Sequence, residues 1–104
     1  MNVDQIINEA FTAAQQASLD FERKNGDQIW PCGFAWVNTP GTSVIARQLK
    51  KTGAGRKSYH RGIDIWNPSG HPTQNMDIKL AGAQAFAEVL VKHGFKAHAD
   101  CRMD

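Results

Sequence analysis

The chain has 104 residues, 41% of them hydrophobic and 21% charged, with a formal net charge of +2. That length builds one domain around one core and excludes two, and the charge is too small for a cation-coated nucleic-acid binder, so any electrostatic contact has to come from clustering. No apolar run approaches the roughly 18 residues of a membrane span, and the opening Met1-Asn2-Val3-Asp4 lacks the basic and apolar stretches of a secretory signal, which sets a cytoplasmic expectation.

In chain order, Val3, Ile6, Ile7, Ala10, Phe11, Ala14, Ala17 and Phe21 recur at the spacing of an amphipathic helix, which Asn25-Gly26 stops. The stretch "PCGFAWVNTPG" predicts a short strand over residues 33–38 between Pro31 and Pro40. Pro40 suits the first turn of a second helix, with Thr39 or Thr42 as its cap. That helix is expected to turn Val44, Ile45 and Leu49 inward and to finish at Gly53. In "SYHRGIDIWNPSG", Ile63, Ile65 and Trp66 predict a strand and Asn67-Pro68-Ser69-Gly70 a turn. A polar connection then leads to a helix over residues 77–93, capped by Asn75 or Asp77, with Ile78, Ala81, Ala85, Phe86, Val89 and Leu90 inward and Gly94 as its stop. The closing "FKAHADCRMD" alternates as a strand does.

The resulting order is α-β-α-β-α-β, an α/β domain in which successive strands are joined through helices, which favours a three-stranded, largely parallel sheet. A tight turn at Arg61-Gly62 gives the alternative, an α+β chain of ferredoxin-like βαββαβ order behind an extra N-terminal helix. The unbroken strand is preferred because splitting it leaves two very short arms.

The blocks "PCGFAWV", "GRKSYHRG", "WNPSG" followed by "TQ", "GAQAFAEVL" and the terminal "RMD" together resemble small uncharacterised proteins encoded by tailed bacteriophages, over residues 31–104. The resemblance implies a phage origin and a bacterial host cytoplasm. It carries over no catalytic residue.

Chemistry-bearing residues fall into three groups. The stretch "KKTGAGRKSYHRG" is not a phosphate-binding loop, because Arg56 stands where Gly must precede the Lys57-Ser58 pair and Lys51 where the first Gly belongs. It does place Lys50, Lys51, Arg56, Lys57 and Arg61 together with Tyr59 and His60 and no acid among them, a combination suited to phosphates or an acidic protein surface. Period-two alternation puts Tyr59, Arg61, Ile63 and Ile65 on one face of the middle strand, and His60, Gly62, Asp64 and Trp66 on the other. Lys96, His98 and Asp100 then share the polar face, with Trp36 or Val37 from the first strand, unless the N-terminal helix covers it. The third group is the connection over residues 67–75, where Asn67 and Gln74 offer donors and acceptors.

Four histidines and two cysteines are present, none at C-x-x-C or H-x-x-x-H spacing, so no metal and no cofactor is expected and Cys32 and Cys101 read as buried thiols. The expected function is a small non-enzymatic binding protein that engages a host or anti-phage defence component. Direct nucleic-acid binding through residues 50–61 is the alternative, and a small enzyme working from His and Asp on the polar face comes third. Self-association is left open, and no membrane partner is expected.

Overall fold

The computed structural model describes residues 2–28 and 30–104. Seven elements follow one another: α1 (Val3–Asn25), β1 (Gly33–Thr39), α2 (Val44–Lys51), β2 (Arg56–Lys57), β3 (Ile63–Trp66), α3 (Met76–Lys92) and β4 (His98–Met103). Each helix starts where a side chain satisfies its free amides. Asn2 and Gln5 form a reciprocal capping box at α1, Ser43 caps α2 and Asn75 caps α3. Gly26, Gly53 and Gly94 then lead the chain out at positive φ.

The strands form one four-stranded antiparallel sheet in the order β2-β3-β1-β4. The expected three-stranded, largely parallel sheet of α-β-α-β-α-β order is therefore corrected. The middle segment is not one strand: β2 and β3 are arms of a hairpin, closed where the Ser58 amide donates to the Gly62 carbonyl at 2.9 Å. Gly62 makes that turn possible at φ 77°, where a Cβ would stand 2.4 Å from the Thr39 carbonyl oxygen. Behind α1 the order is βαββαβ, with the two central strands β1 and β3 antiparallel, the ferredoxin-like arrangement.

All three helices pack on one face. α3 lies across β1 and β4, and α1 packs along α3 and touches α2. Ile45, Leu49, Phe86 and Leu90 are buried there with Ala35, Val37 and Ile65 of the sheet, while Phe11 meets Phe86 edge-on at 4.9 Å between ring centres. Small residues let α1 and α3 approach: Ser18 is buried and donates its hydroxyl to the Ile78 carbonyl at 2.7 Å, and a Cβ on Gly82 would stand 2.6 Å from Ser18 Oγ. Burial therefore runs around more of α3 than a single stripe, through Gly82, Ala83 and Ala87, whereas Ala81 and Ala85 are only half-buried.

Three local expectations also change. Thr39 does not cap α2; it ends β1, fully buried, and donates its hydroxyl to the Lys96 carbonyl at 2.7 Å. With Ser43 as the cap, Val44 faces out and Ala46 joins Ile45 and Leu49 inside. Cys32 and Cys101 are half-buried rather than buried. No helix among the described residues is long and apolar enough to cross a membrane.

Candidate functional site

With every helix on one side, the other face of the sheet is left open, and period-two alternation populates it. Cross-strand pairing arranges it in rows. Arg56, Asp64, Asn38 and His98 form one row across all four strands. Trp66, Trp36 and Asp100 form the next, and Phe34 with Arg102 the third. The hairpin turn, carrying Tyr59, His60 and Arg61, rises beside the first two rows. Together they enclose a cleft of about 670 Å³ lined by Trp36, Asn38, Asp64, Trp66, His98, Asp100 and Arg102 and by the turn residues Ser58, Tyr59, His60 and Arg61.

Aromatic surface is the dominant feature. The Trp36 and Trp66 rings lie 4.6 Å apart at 35°, and Trp66, 45% exposed, meets Phe34 edge-on at 6.3 Å. Phe34 is itself exposed and has two cations against its ring, Lys79 Nζ 5.5 Å and the Arg102 guanidinium 5.7 Å from the ring centre. Lys79 is fixed there by donating to the Gly33 carbonyl at 3.0 Å. Tyr59, at the tip of the turn, is 96% exposed and stands edge-on to His60 at 5.3 Å. Phe34, Tyr59 and Trp66 thus leave large apolar rings in water on this side of the molecule.

The polar row beside the tryptophans is cross-linked by hydrogen bonds. Asp64 is only 7% exposed, and Asn38 Nδ2 donates to both Asp64 Oδ1 and the Arg61 carbonyl, each at 2.8 Å. These bonds tie the turn to the sheet.

The expected binding residues are split by the fold. Tyr59, His60 and Arg61 line the cleft with Trp36, Asp64, Trp66 and His98, so two groups that are separate in the sequence meet in one place. Tyr59 and Arg61 do so as turn residues, not by strand alternation. Arg56 and Lys57 stand on the edge strand, exposed, Arg56 beside a smaller hollow bounded by Phe11, Ile65 and Asn67. Lys50 and Lys51 end α2 in the helical layer and do not line the cleft. Asn67 and Gln74 do not line it either. Asn67, at φ 43°, shapes the turn after β3 by donating to the His71 carbonyl, and the Gln74 carbonyl accepts from the Gly33 amide at 3.2 Å. Sequence reasoning passed over Phe34, Asn38 and Arg102, although the same alternation through "FAWVN" and "HADCR" points to them.

One group of metal-ligating types occurs among the described residues: Glu22, Asp27 and His71, whose ligand atoms lie within 4.8 Å of one another. Its bonds read as a latch. His71 Nδ1 accepts the Thr73 amide at 3.2 Å, so the ring proton sits on Nε2 and faces Glu22 at 3.2 Å, where a metal would need a lone pair. Thr73 in turn donates its hydroxyl to Asp27 at 2.6 Å, which ties the loop before α3 to the end of α1. No histidine–carboxylate hydrogen bond forms on the open sheet face among the described residues; such bonds occur at His71–Glu22 and His93–Glu9.

No family model, curated protein or solved structure matches the chain. The functional reading accordingly rests on the geometry of the face.

Proposed function

We propose that the protein binds single-stranded nucleic acid across the open face of its sheet. The observation that carries this is the Trp36–Trp66 pair on the two central strands, half-buried Trp36 against exposed Trp66, continued by exposed Phe34. Bases of a single strand are free to stack on such rings, whereas those of a duplex are already stacked on one another. Four-stranded antiparallel sheets of this topology are used in that way by the RNA-recognition module, which stacks two or three bases on sheet aromatics. Arg61 and Arg102 on the cleft wall, with Lys79 beside Phe34, supply phosphate contacts within reach of the rings.

The test is fluorescence anisotropy with labelled single strands and the corresponding duplex. Single strands bind more tightly than duplex, and Trp36→Ala and Trp66→Ala each weaken them by about 1–3 kcal/mol. Equal binding by wild type and both variants would sink the proposal.

A second reading keeps the phage resemblance in view: a small non-enzymatic phage protein that engages a host or defence component. What favours it is the presence of Asp64 and Asp100 among the cations, which weakens the attraction for phosphate, and exposed tryptophans also anchor protein interfaces. Pull-down from host lysate with wild type and Trp66→Ala distinguishes it, since a nuclease-resistant partner captured by wild type and not by Trp66→Ala supports the protein interface.

A further inference from the structure

We infer that the cleft selects guanine among the bases it stacks, an inference that rests on the single-strand reading above. In the row next to the tryptophan pair, Asn38 and Asp64 lie side by side and have acceptors to spare. Asn38 spends its amide nitrogen on two acceptors, the Arg61 carbonyl and Asp64 Oδ1. Because both partners are acceptors, the amide cannot be turned the other way, and the oxygen of Asn38, itself a cleft residue, is left without a donor among the described residues. Asp64 Oδ2 has no donor among the described residues, and no side-chain oxygen or nitrogen among them is both buried and unpartnered, so this oxygen opens to the cleft that Asp64 lines. Asp100 adds a further carboxylate on the other side of Trp36.

Successive same-face rows are about 7 Å apart along a strand, so a base stacked on Trp36 and Trp66 brings an edge to the Asn38–Asp64 row. Only guanine offers two neighbouring donors on its Watson–Crick edge, N1–H and the N2 amino group. Adenine and cytosine each place a ring-nitrogen acceptor beside their amino donor, and uracil or thymine flanks its single N–H with two carbonyls. A pair of fixed acceptors therefore bonds guanine twice and sets lone pairs against lone pairs with the others. The Asn38–Asp64 bond keeps this edge in place before any ligand arrives.

The experiment uses labelled heptamers of uridine or thymidine with one central guanine, inosine, adenine or cytosine, in ribose and deoxyribose form, titrated with the full chain. Inosine keeps N1–H and lacks only the N2 amino group. Guanine is expected to bind about tenfold or more tightly than any other central base, and the guanine-to-inosine ratio is expected to fall toward one in Asp64→Asn, where an amide donor replaces the free oxygen. Tight binding with no preference among central bases overturns the guanine inference and leaves stacking intact. No binding of any heptamer at low salt overturns stacking as well. The inosine comparison is made on wild type, so the result does not depend on how Asp64→Asn folds.

Discussion

At the scale of the residue, the shape of the cleft depends on a glycine that does not line it. Gly62 holds φ 77°, and its missing side chain lets the hairpin turn sit against the Thr39 carbonyl. A left-handed conformation costs a residue with a Cβ about 1–2 kcal/mol, and here the added carbon would also meet that oxygen at 2.4 Å. Gly62→Ala is therefore expected to lower stability by at least about 1–2 kcal/mol in urea unfolding, and to shift Tyr59, His60 and Arg61 away from the cleft, weakening single-strand binding at temperatures where the variant is still folded. An unchanged urea midpoint would show that the turn relaxes freely. Gly53, with φ 86° and nothing within 4 Å of where a Cβ would stand, is the matched control: Gly53→Ala carries the conformational cost alone.

At the scale of the element, α1 and α3 are joined at one end by charge. Glu9 receives Lys92 and, at 2.9 Å, His93. The side-chain hydrogen bonds from Lys92 and then His93 hold the Glu9 carboxyl below its ordinary 4.5. The sign follows: with the folded value depressed, the contribution is present above 4.5 and is lost as pH falls through the lower folded value. Thermal melts in a pH series should show Glu9→Gln with a flatter acid limb than wild type, and parallel limbs would mean the ion pair does not survive in solution. The elements themselves were largely legible, because helix ends are written locally: Asn25-Gly26, Asn75 and Gly94 each mark a boundary through one residue's own chemistry. The hairpin was not legible on the same terms. Its arms are two and four residues long, too short for a pattern, and what fixes the turn is the approach of Gly62 to Thr39, a contact between segments distant in sequence. Val44 was misplaced for a related reason, since moving the cap to Ser43 rotates the short α2.

At the scale of the whole molecule, the question is which cations make the electrostatic footprint. The sequence gathers Lys50, Lys51, Arg56, Lys57 and Arg61 within a dozen positions, and proximity along the chain suggests one basic patch. Folding disperses it: the first two end a helix in the layer opposite the open face, the next two sit on the edge strand, and only Arg61 lines the cleft. In exchange the sheet brings in Arg102 from the far end of the chain, beside Phe34. Alternation in the strands made Asp64, Trp66, His98 and Asp100 readable as one face, but no local signal joins residue 61 to residue 102. Screening at physiological salt acts over about 8 Å, so charges in the helical layer contribute little to a strand lying on the sheet. Salt titration separates the two pictures. Removing one phosphate-binding cation from a single-strand complex flattens the log–log salt dependence by about 0.7. Replacing Arg61 and Arg102 by Gln is expected to flatten it by about 1.4 together if each holds one phosphate, whereas Lys50→Gln with Lys51→Gln should leave the slope unchanged. The opposite result would place the nucleic acid along the end of α2 and the edge strand, with the tryptophan face turned toward a different partner.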